Sequence, residues 1–151
     1  MKATDLLKKQ HREVKALFKK IEGTDNPRMR RQLMNEIAHS LEGHTLIEEE
    51  IFYPAVRGLE TQKAEVMVLE AYEEHHVVKL VLAEMPRVNP EDERFEAKMT
   101  VLSELIEHHV EEEEKEMFKL AQKLGKDELT SLGEQMEERF EAFRAKTSEA
   151  A

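Results

Sequence analysis

The sequence contains no cysteine. That absence excludes disulfides, iron–sulfur clusters and thiolate zinc sites, so any metal here must be held by histidine nitrogen and carboxylate oxygen. Long apolar runs are missing too, and nothing approaches the length of a membrane span. Positive charge is in deficit: 23 Lys and Arg face 33 Asp and Glu, a net charge of −10. Phosphate binding needs a basic surface, so nucleic acid is not the expected partner. Anionic membrane surfaces are disfavoured for the same reason. The first residues, Met1-Lys2-Ala3-Thr4, pass straight into amphipathic sequence without the apolar core of a signal peptide. The expected address is therefore cytoplasmic. What is present is ordinary globular material. With 151 residues, 40% of them apolar, the chain can bury one core as a single domain, 1–151.

Glycine and proline are also scarce, five and four respectively, and nearly all of them punctuate gaps between long periodic segments. Thr4 can cap a first helix that ends near Glu22, with Gly23 as its stop. Thr24-Asp25-Asn26-Pro27 ends one helix and starts the next, because proline is tolerated at the first helical position. That second helix is expected to reach about Tyr53, where Pro54 and Gly58 loosen it. A third spans roughly Thr61 to Met85 and stops at Pro86. Asn89-Pro90-Glu91-Asp92 reads as another cap-and-proline start, leading to a fourth helix that runs to Leu124. A short fifth helix, about 127–146, carries Leu129, Leu132, Met136, Phe140 and Phe143 on one stripe. No stretch alternates like a strand. The fold class expected is all-α: an antiparallel up-and-down four-helix bundle over about 4–124 with an additional short C-terminal helix.

The chain repeats itself weakly. A shift of about 64 places lays His11 on His75, Val14 on Val78, Phe18 on Leu82 and Ile21 on Met85. A shift of about 65 lays Ile37 on Leu102, Leu41 on Ile106, His44 on His109, Glu48 on Glu113 and Tyr53 on Phe118. Two helix pairs thus read as copies of one unit, and the histidine and glutamate pattern survives best in both.

His44-x-x-x-Glu48 and His109-x-x-x-Glu113 each place an imidazole and a carboxylate one helical turn apart. Both pairs lie inside an apolar stripe, within about 40° of its centre. His11 falls between Leu7, Val14, Phe18 and Ile21, and His75 lies with Val68, Val78 and Leu82. A single histidine on an apolar face is more often a hydrogen-bonded core residue than a ligand. Glutamates in a run usually form a solvated face, which is the expectation for Glu49, Glu50, Glu111, Glu112, Glu114 and Glu116. Six inward groups in two matching halves need another account, because an unpaired ionised carboxylate is costly to bury. Without a cation, Glu48 and Glu113 would face each other and at least one pKa would have to rise. A pair of divalent cations resolves this, each bridged by both glutamates and held by two histidines. That donor set suits iron, manganese or zinc. His39, His76 and His108 fall off the stripes and read as surface residues or neighbours of the ligands. Glu36-x-x-His39 and Glu73-x-x-His76 imitate the ferritin-like di-iron pattern, but Glu36 and His39 belong to an outer face.

These residues resemble the hemerythrin-like (HHE) cation-binding family. The matching segments are Lys9-Gln10-His11, His44-x-x-x-Glu48-Glu49-Glu50-Ile51-Phe52-Tyr53-Pro54, Glu74-His75 and His109-Val110-Glu111-Glu112-Glu113-Glu114. The resemblance implies a four-helix bundle around a non-haem di-iron centre, with two iron ions held by His11, His44, Glu48, His75, His109 and Glu113. It also implies a small ligand, namely oxygen, peroxide or nitric oxide. In the family's oxygen carriers a fifth histidine precedes the third-helix ligand by one turn, and here that position is Ala71. A more symmetric site is therefore expected, with a position open to water, Tyr72 or His76, which disfavours plain reversible oxygen carriage. Binding and turnover require the same ligands, so the residues leave open an enzyme that decomposes peroxide or reduces nitric oxide. They also leave open a metal-stabilised interaction bundle or iron-responsive bundle.

Overall fold

Apolar residues recurring every three or four places give each predicted segment one stripe to bury, and the chain winds accordingly. The structure, a computed structural model, describes residues 1–150, with side chains described through Thr147. Among the described residues there are five long helices and no strand. Helix α1 is Ala3–Glu22. Helix α2 runs Pro27–Ile47, widens into a π-helical turn, Glu48–Phe52, and finishes as Tyr53–Arg57. Helix α3 is Gln62–Glu84, closed by a 3-10 turn, Met85–Arg87. Helix α4 is Glu93–Glu112, followed by a second π-helical turn, Glu113–Met117, and a last piece, Phe118–Ala121. Helix α5 is Lys126–Ala150.

Three boundaries differ from expectation. Thr4 does not cap α1; it lies buried inside the first turn, and Lys2 holds the cap position. The first residues are drawn onto α5, where a Cβ on Gly133 would come within 2.0 Å of the Met1 carbonyl oxygen. The start of α4 is capped by Asp92, which accepts the Arg94 N–H at 2.9 Å, while Asn89-Pro90 stays in the preceding turn. The fifth helix is not short: at 25 residues it exceeds every other α-helical run. It packs on α1 and α2. Gly43 permits the second of these contacts, since a Cβ there would meet the Phe140 ring at 2.5 Å. Arg139 of α5 also donates to Glu50 of α2 at 2.8 Å.

Proline inside a helix removes a donor and crowds the carbonyl a turn back. Pro54 is nevertheless accommodated within α2. In the widened turn the Tyr53 N–H donates to the Glu48 carbonyl, five residues back. In that register Pro54 leaves the Glu49 carbonyl without its helical donor, and the Tyr72 hydroxyl donates to it at 3.2 Å. One carbonyl orphaned by proline is thus satisfied from α3.

Two apolar clusters fill the interior. The first includes Leu7, Ile47, Phe52, Tyr53, Ala71, Met117 and Phe118. The second includes Val14, Leu41, Val78, Phe95, Leu102 and Ile106. Helices α1 and α3 pass from the first cluster to the second, and α2 and α4 pass the other way. Between the clusters each helix contributes to one buried polar belt: His11, His44 and Glu48, His75, His109 and Glu113. Among the described residues no helix is long and apolar enough to cross a membrane.

Candidate metal centre

A buried imidazole must satisfy two ring nitrogens, and here the outer one is satisfied four times over. His11 Nδ1 lies 2.8 Å from Glu114 Oε2, and His44 Nδ1 lies 2.7 Å from Gln10 Oε1. His75 Nδ1 lies 2.7 Å from Glu49 Oε2, and His109 Nδ1 lies 2.7 Å from Glu74 Oε1. Every partner is an acceptor, so each Nδ1 carries the proton and donates. The tautomer follows: each neutral ring turns an Nε2 lone pair into the belt.

The four Nε2 atoms meet the two carboxylates there. Glu48 Oε1 is 3.3 Å from His44 Nε2 and 3.1 Å from His75 Nε2. Glu113 spans the site with separate oxygens, Oε1 at 3.2 Å from His11 Nε2 and Oε2 at 3.2 Å from His109 Nε2. Two atoms bound to one ion at about 2.1 Å and about a right angle lie about 3.0 Å apart, so these separations suit a shared cation. His11, His44, Glu48 and Glu113 can present one donor atom each within 4.8 Å, and so can Glu48, His75 and His109. Glu48 belongs to both groups, as a bridging carboxylate would. Buried atoms without a hydrogen-bond partner concentrate at this spot: Nε2 of His11 and His44, both oxygens of Glu48, and Glu113 Oε1. Such atoms are rare in folded proteins because each forfeits its hydration. Nitrogen and oxygen donors aimed at one small volume fit a pair of divalent cations.

The electrostatics of these side chains are set by burial and by the charges they turn on one another. Burial alone would lower the pKa of His11, His75 and His109. It is outweighed by Glu113, Glu48 and Glu114 around His11, by Glu48 and Glu49 around His75, and by Glu113, Glu74 and Glu48 around His109. All three are raised, His109 well above the usual value. Burial would raise Glu113, yet His109, Glu48 and His11 hold it well below the usual carboxylate range.

The structure brings together all six residues expected at the site and leaves His76 and His108 outside it, exposed. His39 is half-buried beneath α5, its ring 5.0 Å from Phe143. Two glutamates expected on a solvated face belong to the site instead: Glu49 orients His75 and Glu114 orients His11. Glu49 is also paired with Lys79 at 2.8 Å, and these two contacts, the His75 bond first, lower its pKa. The repeat carried a signal for them, since Glu49 and Glu114 coincide under the same shift as Glu48 and Glu113. The other pair of partners, Gln10 and Glu74, immediately precede His11 and His75.

Tyr72 donates to the Glu49 carbonyl and His76 is exposed, so neither reaches the belt; Tyr53 does. It is fully buried, and its hydroxyl donates to Glu113 Oε2 at 2.6 Å while lying 3.1 Å from His75 Nε2 and 3.3 Å from His109 Nε2. Burial foremost, then the Glu113 and Glu48 charges, raise its pKa well above the usual tyrosine value, so it holds its proton. In a regular α-helix, five residues advance about 140° beyond a full turn, which would point Tyr53 away from Glu48. The π turn brings the two onto one face. Its counterpart after the second π turn is Phe118, stacked on His11 with ring centroids 6.0 Å apart. The expected symmetry is consequently broken: the His75–His109 half has a tyrosine and Glu74, whereas the His11–His44 half has a phenylalanine and Gln10.

Comparison with known proteins places the chain in a family. Residues 2–121 match the model of the hemerythrin HHE cation-binding domain. A DNA nickase of Nostoc sp. (strain PCC 7120) is 26% identical over 118 residues; the match covers 78% of this chain, which spans 33% of the nickase. The uncharacterized protein Rv2633c of Mycobacterium tuberculosis (strain H37Rv) is 29% identical over 147 residues, covering 95% of this chain and 88% of that one. The crystal structure of an HHE cation-binding domain-containing protein from Mycobacterium kansasii, a homologue of Rv2633c, is 29% identical and superposes with a TM-score of 0.85, covering 97% of this chain and 89% of that one. With the fold, the inward histidines and the family match in agreement, the chain belongs to the hemerythrin HHE cation-binding domain family.

Proposed function

We propose that the chain is a non-haem di-iron protein that binds oxygen or a related small ligand, peroxide or nitric oxide. Two iron ions are held in an antiparallel up-and-down four-helix bundle, with α5 as an added cover. In this reading His11 and His44 would hold one ion and His75 and His109 the other, with Glu48 and Glu113 as the carboxylates they share. The observation that carries it is the convergence of four Nε2 atoms on two buried carboxylates, with both Glu48 oxygens and Glu113 Oε1 lacking hydrogen-bond partners. The bound pair of irons would supply electrons to a small ligand held beside them.

The chain's own residues shape what reaches that place. A cavity of about 20 Å³ touches all four histidines and is lined next by Val14, Leu41, Val78 and Ile106. One aliphatic residue per helix, each three places from its histidine, thus closes the centre on one side. A space of this size and polarity accepts a diatomic or a water-sized guest and excludes larger ones.

A second reading, an enzyme that decomposes peroxide or reduces nitric oxide, is favoured by one residue. Tyr53 places an O–H among Glu113, His75 and His109, where a proton is available to a bound ligand. Metal analysis followed by an ultraviolet–visible spectrum, taken anaerobically and then with oxygen, tests both. A stable, reversible charge-transfer band supports binding. A transient band with peroxide consumption supports turnover. Zinc as isolated, with no response to oxygen, would overturn both.

Tyr53→Phe is expected to fold, because Phe118 already occupies the equivalent place in the other half. It removes a buried hydrogen bond to a carboxylate, worth about 1.5–3 kcal/mol, so thermal melting of the metal-free protein should move down by several degrees. The variant should still retain both tight ions. Loss of metal along with the hydroxyl would mean that Tyr53 is itself required to hold an ion.

A further inference from the structure

Outside the buried belt, on the α3–α4 face, three side chains of ligating type converge: Glu74, His108 and Glu112. His108 and Glu112 stand one turn apart on α4, with Nε2 and Oε2 separated by 3.2 Å. Glu74 reaches across from α3 and brings its Oε2 to 3.8 Å from the same nitrogen. One donor atom from each lies within 4.8 Å of the others. The two lysines of the surrounding groove are engaged elsewhere, Lys63 with Glu116 at 3.5 Å and Lys115 with Glu111 at 2.9 Å. Two carboxylates therefore face one exposed imidazole with no lysine between them.

The position of this cluster gives it meaning. Glu74 is shared, since its Oε1 accepts the His109 Nδ1–H at 2.7 Å while its Oε2 faces His108. Beneath it lies a second cavity of about 30 Å³, walled by Ala71, Glu74, Glu112, His109 and Glu113. The same cavity is lined by His109 and Glu113 of the buried belt, so one space touches both the outer cluster and the centre. Ala71 contributes only a methyl group to this wall, so the space exists because the residue is small. A larger side chain at that position would fill it.

We propose that Glu74, His108 and Glu112 form an outer divalent-cation site that captures metal from solution and hands it through the Ala71 cavity to the buried centre. The proposal rests on the di-metal reading above. One imidazole and two carboxylates leave the remaining positions of a divalent ion to water, which makes a weak, exchangeable site. Glu74 then lies at both ends of the transfer, exposed to the incoming ion and bonded to a buried histidine. Glu74 and Glu112, with Glu70 beside them in the cavity wall, also raise the local cation concentration there.

The test loads the full-length, metal-free chain with Co²⁺ and follows the cobalt absorption by stopped flow. It compares the unmodified protein with His108→Ala/Glu112→Gln, which spares Glu74 and its bond to His109, and with Ala71→Leu, which fills the cavity. All three should finish with the same tight ion content. Loading at limiting Co²⁺ should slow by about tenfold or more in both variants. Calorimetry of the loaded protein with Mn²⁺ should detect a further weak ion that His108→Ala/Glu112→Gln loses. Equal loading rates in all three proteins, with tight ions present, would overturn the outer site and leave the buried centre standing. An unmodified chain without tight ions would overturn the centre, and this proposal with it.

Discussion

Alanine at both His44 and His109 is expected to take tight metal content from about two ions per chain to none, because it removes one imidazole from each half of the site. Each position would retain a single histidine and a share of two carboxylates, a donor set that solvent and chelators outcompete. The substitution also strands Gln10 and Glu74, whose side chains now orient those rings. Metal analysis after desalting reads the result, with circular dichroism as the check that the helices remain. His39→Ala and His76→Ala are the controls. His39 packs under α5 against Phe143, and His76 is exposed, so both variants should keep their metal. Tight binding that survives the double alanine variant, or disappears in a control, would remove the assignment of the belt as the metal centre.

Chelation should lower the melting temperature strongly, and the gap should widen as pH rises. A ligand at a thousandfold excess over its dissociation constant stabilises by about 4 kcal/mol per site. For a chain of this size that corresponds to a shift on the order of 10 °C. The sign of the pH effect follows from the histidines. His11, His75 and His109 have raised pKa values in the folded, metal-free protein. Their contribution is fully present below the unfolded histidine value of about 6.5 and is lost as pH climbs through the raised values. Glu113 acts at the other end: its lowered pKa contributes above the ordinary carboxylate range and is lost as pH falls through the depressed value. The metal-free protein is thus most stable in mild acid. Metal binding needs neutral imidazoles and so strengthens in the opposite direction. Melting curves at about pH 5.5 and about pH 8, with and without chelator, check this. Curves that coincide at both pH values would dispose of a buried metal site.

The helices were legible because their apolar residues repeat at the helical period and their ends carry turn residues. Asn26 and Thr61 act as the caps their positions announce, accepting from Met29 and Ala64 N–H groups. The buried belt was legible for the same reason, with the internal repeat as a second witness. A histidine at the centre of an apolar stripe must enter the core, whichever helices surround it. The start of α4 was misplaced because Asn89-Pro90 and Asp92 both carry capping chemistry, and local sequence does not decide between neighbouring caps.

By itself, then, the order of residues determined that His11, His44, Glu48, His75, His109 and Glu113 would be buried on four helices, since burial of a stripe depends only on spacing along one helix. Tertiary structure decided the rest. The π turns begin at Glu48 and Glu113, and composition does not announce them; at each, α2 and α4 re-aim their later residues. That re-aiming is what delivers Tyr53 to Glu113 and sets Phe118 against His11. The partners of the histidine rings likewise come from other helices, Glu114 for His11 and Glu49 for His75, so a pattern read along one helix misassigns them to solvent. The docking of α5 depended on Gly43 and Gly133, whose missing Cβ atoms matter only when a second helix lies against them. Periodicity specifies which face is buried, whereas the group each side chain meets is set by the packing of one helix against another.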